Sequence, residues 1–267
     1  PGRWWWLVVA GATAVSLAVI LHAAHLIRYA RKALPNRFRV VTHYYLAAAA
    51  CLPVGAGFGT ALAFGLGDEW HGRLLMAHMT MNLLGWIGLT VLGTLVTFWP
   101  TLLRARMDDR AERLARQSLP VLLVGIAVLA TGSLIGLQFV AVAGLAIYLM
   151  GVAWWGRALF VPLRAFGLRE FAPASVLASL IWAAVGLVWI GVLLATGDGW
   201  PSITAASLRL AAVFAVGFAA QLLSGALSYL IPSVIGGGPS VVRAGQRWFN
   251  TWAGWRLVVI NVGLLLW

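Results

Sequence analysis

The chain has 267 residues, of which 62% are hydrophobic and only 10% charged, with a mean hydropathy of +0.91. That balance excludes a water-soluble globular domain and makes the chain a polytopic, all-α membrane protein. A formal net charge of +12 would point to nucleic acid in a soluble protein. Here the basic residues cluster in alternate loops, so they are topology signals first, with anionic lipid headgroups as their contacts.

A spanning helix takes about 20 apolar residues. Seven complete candidates cover about 4–27, 40–66, 72–99, 118–136, 138–160, 174–195 and 204–231, and an eighth begins at Leu257 and is cut off at Trp267. With Pro1 in place of Met at the start, the expectation is a single transmembrane domain, a fragment of a longer protein. One side carries Arg28, Arg31, Lys32, Arg37 and Arg39, then Arg104, Arg106, Arg110, Arg113 and Arg116, then Arg157, Arg164 and Arg169, then Arg243, Arg247 and Arg256. The other side keeps only Arg3, Arg73 and Arg209. By the positive-inside rule the N-terminus lies outside a cell's plasma membrane and the first loop is cytoplasmic.

Trp4, Trp5 and Trp6 open the first span at the outer interface, where indoles anchor helix ends. The apolar run is too long for a signal peptide's core and no small-residue cleavage site follows it. Near its inner end His22 and His25 occupy neighbouring positions on one helical face. Two rings so placed cannot bind opposite faces of one haem iron; they either share a copper site, or one ligates haem while the other supports it or relays protons. His43 lies in the first turn of the second span, so a short loop puts all three toward the same membrane face. Imidazole is the commonest ligand for haem and many metals; the alternative is a set of interfacial rings that reach for headgroups.

Cys51 is the single cysteine, which rules out a disulfide framework or thiolate cluster and leaves a small buried residue. After Pro53 comes GAGFG at 55–59. No strand precedes it, so it marks a kink with tight helix packing rather than a phosphate loop.

The third span, HGRLLMAHMTMNLLGWIGLTVLGTLVTFWP from His71 to Pro100, concentrates the chemistry. His78, Asn82 and Gly85 fall at i, i+4 and i+7 on one face. An ionisable ring inside a bilayer costs on the order of 2 kcal/mol or more unless it lines a cavity, finds a partner or binds a metal. Gly85, Gly88 and Gly93 allow a helix or a flat cofactor to approach closely. His71 and His78 both lie toward the outside, so the five histidines form two groups on opposite faces. His78 is expected about 9 Å below the outer interface, with Asn82 or a backbone carbonyl holding one ring nitrogen. The structural alternative is an unliganded imidazole satisfied by Asn82.

The loop TLLRARMDDRAERLARQ reads as a solvated turn with Asp108, Asp109 and Glu112 pairing locally. Spans four and five are featureless apart from Gln138, Trp154 and Trp155, and Trp182 and Trp189 in span six read as packing. The seventh span, 204–232, is a weak echo of the third, 72–100: LGTLVTFWPTLLR around Pro100 aligns with SGALSYLIPSVIG around Pro232 at an offset of 132. On that register His78 becomes Leu210, and the second copy offers Gln221, Ser224 and Ser228. These form either a wall toward a cofactor propionate or quinone, or interhelical glue. Beyond it, Trp248, Trp252 and Trp255 recur at i, i+4 and i+7 opposite Arg243 and Arg247, the pattern of an interfacial amphipathic helix.

HMTMNLLGWIGLTVLGTLVTFWPTLLR resembles the helix of haem-copper-oxidase-like membrane domains of the NnrS-type group, in which a histidine starts a glycine-rich span ending in an aromatic-proline pair. It is also similar to the polytopic N-terminal region that precedes cupredoxin domains in actinobacterial multicopper oxidases resembling copper nitrite reductases. The resemblance implies that His78 is a ligand of a b-type haem, with His22, His25 and His43 as further haem or copper candidates. The positions of the residues, apart from the resemblance, add His71 as an outer metal ligand or entry point and Asn82 as a supporting residue. The resemblance further implies electron transfer from quinol to an outward-facing copper oxidase or nitrite reductase domain, as part of an oxidoreductase whose catalytic residues are not assigned. His78 is the last histidine, so no complete oxygen-reducing centre can be assembled from this stretch. A copper or small-solute permease and a cofactor-free membrane anchor are the other classes the residues allow.

Overall fold

The computed structural model describes residues 4–32, 39–106 and 109–267. Arg3, Arg37 and Asp108, which entered the charge pattern, lie outside them. Among the described residues the chain forms helices and short turns, with no strand. The helices are α1 (Trp5–Lys32), α2 (Arg39–Phe64), α3 (Asp68–Leu102), α4 (Asp109–Leu134), α5 (Gln138–Phe166), α6 (Phe171–Thr196), α7 (200–235), α8 (Pro239–Asn250) and α9 (Ala253–Leu266). Seven are long and apolar enough to cross a bilayer, and α8 with α9, bent by 42° between them, pass the same test as a pair. The protein is therefore a multi-pass, all-α membrane protein with the lipid bilayer as its surroundings.

Several boundaries differ from expectation for local reasons. α3 starts at Asp68 rather than Gly72, after Gly67 in an extended conformation, because Asp68 and Glu69 favour a helix N-terminus. His78 thus sits about 15 Å along the helix axis from its start rather than 9 Å, nearer the middle of a bilayer about 30 Å thick. The arginine-rich segment is helical from Asp109 onward, since Arg and Glu are good helix formers and a helix need not stop at the membrane surface. Trp248, Trp252 and Trp255 do not share one helical face: Trp252 adopts φ 60° and ends α8 before α9 begins.

α3 and α7 share an unusual feature. Each contains a wide-turned π-helical stretch, Thr80–Gly88 in α3 and Val213–Ala220 in α7. Such stretches interrupt the regular i→i+4 bonding and occur often at functional sites.

The chain divides into two compact units. The first comprises Pro1–Phe98, Met107–Ala158 and Gly191–Ala205. Within it α1 rests on α2, with the Trp5 indole donating to the Thr60 carbonyl at 2.9 Å. α4 and α5 approach through small residues: a Cβ on Gly125 would lie 2.6 Å from the Tyr148 nitrogen, one on Gly132 2.5 Å from that of Ala141, and one on Gly144 against Leu129. In lipid, where apolar burial between helices drives little, this backbone-to-backbone fit is what holds helices together. The turn joining them uses Gly136 at φ 80°, whose carbonyl accepts from the Trp200 indole.

The second unit comprises Trp99–Arg106, Leu159–Ile190 and Ala206–Trp267. Here a Cβ on Gly225 would meet Ser175, and one on Gly217 would meet Trp182 and Leu264. Trp182 donates to Asn261 Oδ1 at 2.6 Å, fastening α6 to α9.

Candidate functional site

The polar centre of the first unit is built where α2 and the start of the π stretch of α3 meet. Pro53 lacks an N–H, and two residues later Gly55 begins a bare strip of α2. The strip receives two side chains of α3. A Cβ on Gly59 would lie 2.9 Å from His78 Cε1, and one on Gly55 would collide with Asn82 Nδ2 and lie 2.9 Å from its Cγ. Glycine at both positions is thus what admits the imidazole and the carboxamide between the helices.

The hydrogen bonds fix the ring. His78 Nδ1 lies 2.8 Å from the Gly55 carbonyl and 3.3 Å from Asn82 Nδ2. Both neighbours cannot be bonded to Nδ1 at once, because the carbonyl needs a proton on that nitrogen and the amide group needs a lone pair. The shorter contact decides it, and Asn82 already donates to the His78 carbonyl at 2.9 Å. Nδ1–H therefore donates to Gly55 O, and the Nε2 lone pair points away from both partners. Asn82 closes the turn of α3 on which the ring is mounted.

Below this pair the glycine row of α3 is filled by protein. A Cβ on Gly85 would lie 2.6 Å from that of Cys51, one on Gly88 2.6 Å from the Tyr148 hydroxyl oxygen, and one on Gly93 2.6 Å from the Tyr44 Cβ. Tyr44 and Tyr148 are buried and donate to the carbonyls of Ala115 and Leu84. The row expected to admit a helix or a flat cofactor thus admits side chains of α2 and α5. Tyr44 and Tyr148 were missed from sequence, although a tyrosine in an otherwise apolar span signals a hydroxyl in need of a partner.

The remaining histidines are placed differently. His22 and His25 are exposed on α1, His25 with its ring 4.7 Å from that of Tyr29, and His43 is exposed on α2. His71 is exposed in the first turn of α3. Among the described residues no contact joins His22, His25 and His43, and no three of the His, Cys, Asp or Glu residues are grouped to hold a metal ion. The structure brings together His78 and Asn82 with Gly55 and Gly59.

In the second unit, Ser224 and Ser228 donate to carbonyls of their own helix, at Gln221 and Gly225. Gln221 is buried, with its Nε2 facing Asn261 Oδ1 at 3.5 Å and its Oε1 without a partner. Comparison of the chain with family models, curated proteins and solved structures finds no match.

Proposed function

We propose that this chain is a membrane redox domain in which His78 would hold a b-type haem through Nε2. The observation that carries this reading is the state of the ring: Nδ1–H is held by the Gly55 carbonyl, and Nε2 is left as a lone pair with no other protein partner among the described residues. Haem and metal histidines are commonly arranged so, with the outer N–H on a carbonyl fixing the tautomer and ring plane. When bound, the haem supplies a one-electron couple. The chain's own contribution is to hold the ring by Gly55 and to orient it by packing on Gly59. Asn82 adds rigidity at the turn, and the apolar helices around it keep water away.

In this reading electrons come from quinol in the plasma membrane and leave toward an outward-facing cupredoxin domain of the copper oxidase or nitrite reductase type, the N-terminus of α1 lying outside. Copper is the alternative occupant of Nε2. Orientation is tested by reporters: one fused after Arg110 should behave as cytoplasmic and one inserted near Asp68 as external. The reverse pattern rejects the assignment of sides.

A second reading has an observation of its own. His78 and Asn82 also clasp α3 to α2, which suits a cofactor-free anchor. Purified protein decides between them: a reduced-minus-oxidised haem spectrum that His78→Gln abolishes supports the ligand, whereas a colourless protein, or a spectrum unchanged in His78→Gln, leaves the clasp.

A further inference from the structure

The offset that relates Pro100 to Pro232 extends to the neighbouring helices. It carries the ends of α2, Arg39 and Phe64, to Phe171 and Thr196, the ends of α6. It carries the start of α3, Asp68, to Trp200, where α7 starts, and the end of one π stretch, Gly88, to Ala220, the end of the other. It also carries Leu134, the end of α4, to Leu266, the end of α9. Helix ends ordinarily scatter by one or two residues even between descriptions of one structure, so this agreement marks two copies of one unit. α8 and α9 together are then the counterpart of α4.

This last helix is where the copies part in shape. α4 runs unbroken from Asp109 to Leu134 in spite of Pro120. Its counterpart breaks between Asn250 and Ala253, and the residue in the place of Pro120, Trp252, has φ 60°. Neither residue of the break, Thr251 or Trp252, is a glycine or a proline, and the left-handed region is sterically costly for a bulky side chain. Backbone held there against its preference clusters at ligand clamps and other functional places. At the break lies an open cleft of about 460 Å³, lined by Trp248, Phe249, Thr251, Trp252 and Arg256.

The charge in the cleft is Arg256, which stands where α4 has Val124. Its Nη1 donates to the Phe249 carbonyl at 2.8 Å, and its guanidinium lies 3.8 Å above the ring of the buried Phe171. Asn250 Oδ1 accepts from the Phe171 N–H at 2.7 Å, so the guanidinium rests on a fixed frame. Four of its five N–H donors remain, and no carboxylate among the described residues pairs with it. From Gly199 to Trp267 the sequence has no aspartate or glutamate, and Glu170, next to Phe171 in the chain, is taken by Arg104 at 2.7 Å. Arg243 and Arg247, exposed on α8, add to a positive charge that the protein does not balance here. Trp248, Trp252 and Trp255 are 71%, 75% and 65% exposed. Exposed indoles and arginines together mark the depth of lipid headgroups.

We infer that the cleft between α8 and α9 binds an anionic phospholipid, its phosphate on the Arg256 guanidinium and its glycerol and upper acyl chain against Trp248 and Trp252. The guanidinium fork matches phosphate oxygens, and its support by Phe171 and Phe249 leaves little ordering to be done on binding. A lipid rather than free phosphate is the occupant because three of the five lining residues are aromatic. The site lies in the second unit and does not depend on the role of His78.

Native mass spectrometry of the full chain tests it, with the protein released from nanodiscs of equal parts phosphatidylglycerol and phosphatidylcholine of identical acyl chains. The unaltered protein should retain phosphatidylglycerol in preference, and millimolar inorganic phosphate should not displace it. Arg256→Gln should weaken retention about tenfold, the size of one charge-assisted contact. Arg243→Gln, which removes an exposed arginine outside the cleft, should leave retention unchanged. Arg256→Gln also gives up the contacts to Phe249 and Phe171, so Trp252→Gly provides an independent variant. Glycine suits φ 60°, and this variant should keep the fold while retention falls several-fold. Equal retention of the two lipids, displacement by inorganic phosphate, equal losses in Arg243→Gln and Arg256→Gln, or undiminished retention in Trp252→Gly would each overturn the proposal.

Discussion

The surroundings of His78 and the corresponding place in the second copy differ in chemistry while keeping the same frame. Gly85 and Gly93 correspond to Gly217 and Gly225, and all four are pressed against a neighbouring side chain. Pro100 corresponds to Pro232. Yet His78, Asn82 and Gly55 are matched by Leu210, Phe214 and Leu187. Phe214 there lies against Gly186, whose Cβ would come 2.7 Å from the ring. The second copy builds a π-containing helix packed on its neighbour without any imidazole or carboxamide. A π-containing helix packed on its neighbour therefore does not by itself demand the polar pair, and in the first copy the cost of carrying a histidine inside an apolar span is offset at least in part by its hydrogen bond to the Gly55 carbonyl of α2.

The sharpest way to break this comparison is at the ring itself. His78→Gln keeps a donor and an acceptor, so a purely structural residue tolerates it. If Nε2 ligates haem, the Gln variant should lose essentially all haem absorbance while the protein remains folded, and His78→Met should retain haem at a shifted potential. Difference spectra and a redox titration read both outcomes; a Gln variant with the parental spectrum and potential reduces His78 to a clasp.

Next in size is an exchange between the copies. Gly55→Leu, which imports the residue of the second copy, drives a side chain into Asn82 and should cost about 1–3 kcal/mol in stability as an overpacking change. Adding His78→Leu and Asn82→Phe, with Val54→Gly to seat the ring as Gly186 seats Phe214, completes the second copy's set and should restore much of that loss, since neighbouring positions couple. The restored protein should be stable and colourless. Calorimetry or thermal melting with an absorbance spectrum measures it, and a quadruple variant no more stable than Gly55→Leu alone would mean that the two copies pack differently here.

A gentler change separates orientation from ligation. Gly59→Ala places a methyl group 2.9 Å from His78 Cε1, so the ring must tilt while its ligating nitrogen remains. Haem content should fall only several-fold, with a change in the spectrum's shape or in potential, because positioning rather than the donor is altered. Unchanged potential together with unchanged content would show that Gly59 does not set the ring plane.

What could be read from the sequence divides along physical lines. Span number followed from hydropathy, because lipid imposes one requirement on every residue of a span. The GAGFG strip was recognisable as close packing because no strand precedes it. That His78 is what packs there was not, since a partner on another helix depends on rotation about both axes. Of the two partners expected for one ring nitrogen of His78, Asn82 or a backbone carbonyl, the structure has the carbonyl, and the sequence could not tell that it belongs to Gly55 on another helix; Asn82, placed nearby by the four-residue spacing, donates to the carbonyl of its own turn. The inner histidine group was argued from loop length, which fixes the membrane face but not the helical face. His22, His25 and His43 turn out exposed, and only His25 has a ring neighbour among the described contacts, Tyr29 on its own helix.

The smallest expected effects concern those inner histidines, and they sharpen the comparison by testing what lies outside it. A shared centre of His22 and His43 requires that either single alanine variant remove the bound group and that the double variant add little. Their exposed positions favour the opposite result in detergent-solubilised monomer. His22→Ala and His43→Ala should each change stability by no more than about 0.5 kcal/mol, as surface substitutions do, and their effects should add. Haem content should stay at the level set by His78. Metal analysis of the four proteins of the cycle, alongside their melting curves, reads both quantities at once. Strongly non-additive loss of metal or haem would restore an inner centre and would mean that the first copy carries two sites where the second carries none of the histidines.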